Sequence, residues 1–167
     1  MEVEIGLINR YTYYFDDQIN KESVQTLIDI LSMQDKVDLF FSTEGGEVVC
    51  MKVLIHYLNS RKDDVTIHLT DIIMSAGTFL LTHFKGKVIL DENLDCILFH
   101  KLDRLVYTRR AEQTVDQNIL LKQLDKDNEI ISARLSKLGL TKQEVKDYDK
   151  GKDVVLYRED FTRLNLK

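Results

Sequence analysis

Ile72-Ile73-Met74-Ser75-Ala76-Gly77-Thr78-Phe79-Leu80-Leu81 changes character in the middle. An apolar start gives way to a serine among small residues, and Thr78 to Phe84 then reads as a helix. A serine just ahead of a small-residue helix start can project its hydroxyl from a tight turn. The backbone N–H groups exposed there can stabilise an oxyanion. The same stretch, broken by Ser75, Gly77 and Thr78, is too short to span a bilayer.

Upstream lies a second turn of related type, Ser42-Thr43-Glu44-Gly45-Gly46-Glu47, after the short apolar strand Val37 to Phe41. In α/β domains, loops at the C-terminal ends of strands are where ligands and catalytic groups gather. Gly46 lets this turn come close and aim its own N–H at the point the serine faces. Taken singly, a Gly-Gly pair is a common turn and a serine at a helix start is a common N-cap.

A serine nucleophile needs a base. His83 follows Ser75 by about two helical turns, roughly 12 Å along the same helix, which is too far. His56 falls within a helix and His68 within a strand, and both read as structural or solvent-facing. His100 closes the apolar run Cys96-Ile97-Leu98-Phe99, so a rigid strand can present it at the sheet edge.

The remaining elements follow from periodicity. Tyr11 to Phe15 reads as a strand; Asn20 caps a helix whose apolar stripe is Val24, Leu27, Ile28 and Leu31, with Ile19 stapled against Val24. A second helix buries Val49, Val53, Leu54, Tyr57 and Leu58, and Val65 to Leu69 and Val88 to Leu90 are strands. From about 108 to 138 the chain is highly charged, with apolar positions at Val115, Ile119, Leu120, Leu124, Ile131 and Leu135. This predicts one long helix with a narrow stripe, suited to a partner subunit or to an arm folded on its own domain. Gly139 ends it. Thr141-Lys142-Gln143-Glu144 is a capping box for a short helix to about Asp149, and Val154 to Leu156 is a last strand. Strand and helix alternate, predicting an α/β domain with a largely parallel sheet over residues 1–167.

Composition narrows the function. The formal charge of −5 on 167 residues argues against nucleic acid as a bulk electrostatic partner. The basic residues Arg104, Arg109 and Arg110 read as a solvated face. Cys50 and Cys96 form neither a metal site nor a disulfide framework, consistent with a reducing compartment. The start Met1-Glu2-Val3-Glu4 lacks the pattern of a signal peptide, so a soluble cytoplasmic protein without membrane contact is expected.

These residues resemble the Clp protease proteolytic subunit (ClpP) family of the ClpP/crotonase superfamily, from about Tyr11 to Leu166. Ser42-Thr43-Glu44-Gly45-Gly46 is similar to the family's Asn-Ser-Pro-Gly-Gly turn. Met74 to Leu81 resembles its Ala-Ser-Met-Gly-Ala-Phe-Leu-Leu nucleophile segment, and Lys85-Gly86-Lys87 the Lys-Gly-Lys after it. Ile97-Leu98-Phe99-His100 resembles the strand ending in the catalytic histidine, at the family's interval from the serine.

The resemblance implies an α/β, ClpP/crotonase-like fold of repeated β-β-α or βα units with a protruding long handle helix, the handle region covering about 108–150. It implies a Ser75–His100–Asp153 triad, with Asp149 and Asp147 as alternatives for the third member, and oxyanion donors at Gly46 and Ala76. It further implies an acyl-enzyme endopeptidase acting on unfolded proteins or short peptides, with no cofactor and ATP used only by a partner unfoldase. The assembly implied is a homo-oligomeric ring, a heptamer or a stacked double ring. Ala76 in place of the family's methionine would alter the wall that sets primary specificity. Three other readings compete: a catalytically silent scaffold subunit, a crotonase-type acyl-thioester enzyme, and a phage or mobile-element processing peptidase.

Overall fold

The computed structural model describes residues 9–102 and 117–166. The Arg104, Arg109 and Arg110 cluster, Val115 and the first part of the expected long helix lie outside the described residues. In chain order come β1 (Tyr11–Asp16), α1 (Lys21–Ser32), β2 (Val37–Thr43), α2 (Val48–Ser60) and β3 (Val65–Met74). A 3₁₀ turn (Ser75–Thr78) leads into α3 (Phe79–His83), then β4 (Lys87–Leu90) and β5 (Cys96–Phe99). The long helix α4 (Gln117–Leu138), α5 (Lys142–Asp149), β6 (Val154–Tyr157) and a 3₁₀ turn (Arg158–Arg163) complete the described chain.

The strands form a six-stranded sheet in the order β1-β2-β3-β5-β6, with β4 also on β3. All pairings are parallel except β5 with β6. Strand alternation divides the faces. Val37, Leu39 and Phe41 of β2 and Val65, Ile67 and Leu69 of β3 are essentially inaccessible and meet the stripes of α1 and α2. On the other face Tyr14, Phe40 and His68 stack across three strands, with ring centroids 4.8 Å and 4.4 Å apart.

β3 runs five residues further than its alternation indicates, because it bends rather than stops. Asp71 adopts φ 52°, a left-handed conformation that aspartate tolerates better than most residues. Before the bend, Thr66 to Leu69 pair with β4; after it, Ile72 to Met74 pair with β5. One strand thus hands over between two partners, and its second half is aimed so that Ser75 follows β3 just where His100 follows β5.

The expected caps are present. Asn20 accepts from the N–H groups of Glu22 (2.9 Å) and Ser23 (3.0 Å), and Thr141 and Glu144 cap one another reciprocally. The apolar face of α2 requires correction. Leu54 and Leu58 are buried as expected, but Val49 and Val53 are more than half exposed, and Val48, Met51 and Ile55 are buried in their place. Every third or fourth residue of this helix is apolar on two faces, so periodicity left the phase open. On α4, Leu124, Ile131 and Leu135 are buried while Ile119 is 60 % exposed. Among the described side chains of the stripe, packing runs from Leu124 to Leu135; Leu120 lies outside them. Among the described residues no helix is long and apolar enough to cross a membrane.

Candidate active site

Ser75 sits where β3 turns into the 3₁₀ segment, and its own backbone is left-handed at φ 53°. A non-glycine residue held there stores strain, which the surrounding structure must impose. Two features do so: the Thr78 hydroxyl donates to the Ser75 carbonyl (2.7 Å), and Ala76, Gly77 and Thr78 are buried. The side chain is lifted out of the strand and remains partly accessible.

His100 follows directly on β5, and its Nε2 lies 2.8 Å from Ser75 Oγ. The contact is a consequence of register. Met74 pairs with Leu98 across parallel β3 and β5, so both chains leave the sheet at the same end.

The Gly45-Gly46 turn closes over this point. A Cβ added to Gly45 would lie 2.6 Å from Ser75 Cβ, so only glycine permits the approach. Gly46 makes a parallel bridge to Ile19: Ile19 donates to the Gly45 carbonyl (2.8 Å) and Glu47 donates to the Ile19 carbonyl (2.7 Å). In such a bridge the groups of the central residue face the opposite side. The Gly46 N–H is therefore turned away from Ile19, and no described residue accepts it. The Ala76 N–H lies in the first turn of a helix, where N–H groups lack intrahelical acceptors. Two backbone donors thus flank the serine.

The third triad position is less closed. In antiparallel β5–β6, Phe99 lies opposite Val154, so one further step sets His100 beside Asp153. Asp153 is exposed, and among the described residues no carboxylate hydrogen-bonds the imidazole. Asp147 is engaged elsewhere: hydrogen bonds from Gln143 and Lys152 (3.0 Å each) hold its carboxyl below the usual range. The Asp149 carbonyl accepts from Lys101 Nζ at 2.9 Å.

The other histidines lie away from Ser75 in structural or solvent-facing positions. His68 stacks on Phe40 and lies 3.3 Å from the Asp38 carboxylate, and His56 is exposed on α2. His83 packs against Phe79, and burial, with Arg134 and Lys52 nearby, pushes its imidazole down from 6.5 to about 4. The fold favours neutral His83, so the unfolded chain takes up a proton first as pH falls. This contribution to stability is intact above 6.5 and is lost as pH falls towards about 4. The denaturation midpoint of the wild type is expected to fall between about pH 7 and about pH 5. His83→Gln, measured by urea titration over that range, should give the shallower slope.

Sequence reading passed over Thr43, whose hydroxyl accepts from the Gly45 N–H (3.0 Å) and donates to the Asp17 carbonyl (2.7 Å), bracing the turn. It also passed over Asn128 and Tyr148, which hold the segment beyond His100. Neither carries a local signal, since their partners are distant in sequence.

No family model matches the sequence, and no curated protein matches it. Among solved structures the chain is similar to a point mutant of ClpP1 from Listeria monocytogenes, with a TM-score of 0.57 and 17 % identity. The match covers 89 % of this chain and 84 % of that one. At such identity the likeness speaks for architecture alone, and that architecture, a mixed α/β sheet carrying a long helix, is the ClpP/crotonase-like fold.

Proposed function

We propose that this chain is a serine-type endopeptidase acting by acyl transfer, with Ser75 as nucleophile and His100 as general base. The observation that carries the reading is the 2.8 Å contact between Ser75 Oγ and His100 Nε2 beside two unused backbone donors. Nε2 takes the serine proton as Oγ attacks a peptide carbonyl, and returns it to the leaving amine. The N–H groups of Gly46 and Ala76 hold the oxyanion. Asp153, beside His100 in register, swings onto Nδ1 to orient and stabilise the charged ring. Water then releases the acyl group.

Substrates in this reading are unfolded chains or short peptides, bound as an added strand along the open edge of the Gly46 turn. The exposure of Ile119 on α4 supports assembly into a homo-oligomeric ring. An ATP-dependent unfoldase would deliver substrate, and the subunit itself would need no cofactor.

A second reading has its own observation. Among the described residues no carboxylate hydrogen-bonds the imidazole, as a catalytically silent scaffold subunit would show. The test is fluorophosphonate labelling together with the solution mass of the assembly. Labelling confined to Ser75 supports the hydrolase. An unlabelled ring sinks it in favour of the scaffold.

A further inference from the structure

Hydrogen-bond ladders hold His100 on one side only. β5 pairs with β3 as far as Leu98 and with β6 as far as Phe99, and the chain then leaves the sheet. A catalytic base at the loose end of a strand would wander, because each unconstrained residue adds backbone freedom. The next fixed point is Leu102. Its N–H donates to Asn128 Oδ1 (2.9 Å), and its carbonyl accepts from Asn128 Nδ2 (3.2 Å). One side-chain amide thus satisfies both backbone groups of Leu102, as a neighbouring strand would.

This amide is itself held. Asn128 is 7 % exposed on α4, and the hydroxyl of buried Tyr148, on α5, donates to the same Oδ1 (3.2 Å). Burial raises the Tyr148 hydroxyl well above its ordinary pKa, so it stays a donor. Two donors converging on one atom also fix which end of the amide is oxygen. By contrast, the neighbouring tie from Lys101 to the Asp149 carbonyl is exposed and weakened by water.

We propose that Asn128 is a positioning residue for the Ser75–His100 pair: by clamping Leu102, it bounds the His100 backbone at its far end and keeps the imidazole within reach of the serine hydroxyl. The proposal rests on the hydrolase reading for its consequence in activity, but the clamp has a readout of its own.

The experiment compares four variants with the wild type at a temperature well below unfolding. It follows the fluorophosphonate labelling rate of Ser75 and the NMR resonance of the His100 ring. Asn128→Leu loses all three hydrogen bonds and is expected to slow labelling about 10²-fold, the scale of an ångström-sized misplacement. Asn128→Asp keeps the acceptor but loses the donor to Leu102, so it should fall between. Tyr148→Phe removes one hydroxyl from a side chain that stays packed, and serves if Asn128→Leu does not fold. Leu27→Ala, in the core under α1, controls for lost stability; it should leave labelling and the His100 resonance unchanged.

Wild-type labelling by Asn128→Leu, or equal slowing by Leu27→Ala, overturns the proposal. If the wild type itself is not labelled, the hydrolase reading fails and the His100 resonance decides the clamp. A shift in Asn128→Leu upholds it, and an unmoved signal overturns it.

Discussion

Ser75→Ala should abolish fluorophosphonate labelling and lower peptide hydrolysis by about 10⁴- to 10⁶-fold, leaving only what binding and the oxyanion donors supply. The fold should survive, because the hydroxyl's recorded partner is His100 and the Ser75 backbone is tethered through Thr78. The backbone at position 75 separates this loss from a folding defect. At φ 53°, alanine is strained as serine is, whereas glycine is not. Ser75→Gly should therefore match Ser75→Ala in lost activity while being more stable by about 1 kcal/mol. Mass spectrometry of the labelled protein and paired thermal melts would check both halves. A Ser75→Ala protein that still hydrolyses peptides would place the nucleophile elsewhere.

Gly46→Ala is expected to have the next largest effect, through the backbone. A Cβ at this position would lie 2.2 Å from the Ile19 carbonyl oxygen, and φ there is +142°. Neither the contact nor the angle is tolerable, so the turn must move away from Ile19 and carry its N–H with it. Removing one oxyanion donor costs about 10²–10³ in turnover. The backbone strain should also lower stability by about 1–3 kcal/mol. Substrate affinity should change less than turnover, since the donor acts mainly on charge that develops in the transition state. Steady-state kinetics on a fluorogenic peptide separates the two. Unchanged turnover in a folded Gly46→Ala protein would remove Gly46 from the site.

The two results bear on different links. The serine variants test the nucleophile, which lies at the end of one bent strand. The glycine variant tests whether a loop from a second strand, bridged to Ile19 near the end of β1, completes the site. Asn128 extends the same logic to a third region, where α4 and α5 hold the chain beyond His100. Ser75, His100 and Gly46, the candidate site, are thus each placed by elements remote from one another in sequence.

Local signals sufficed for much of this protein. The mostly apolar run Val37 to Phe41 and the alternation of Val65 to Leu69 marked the buried strands, and Asn20 and Thr141 marked two helix starts through hydrogen bonds within a few residues. Ser75 and His100 were candidates because each ends an apolar run, and the resemblance to the ClpP family, with its ordered motifs at fixed intervals, singled them out. Such features depend on backbone geometry and side-chain chemistry over short spans, which a linear pattern records. Tertiary structure alone decided the phase of α2, where two apolar faces competed for the core. It alone decided the bend at Asp71, which swaps β4 for β5 as the partner of β3, and the grip of Asn128 on Leu102. It also left Asp153 beside His100 without joining them. These are meetings of segments distant along the chain, settled by which packing buries the most surface with every polar group satisfied, and no local pattern encodes that comparison.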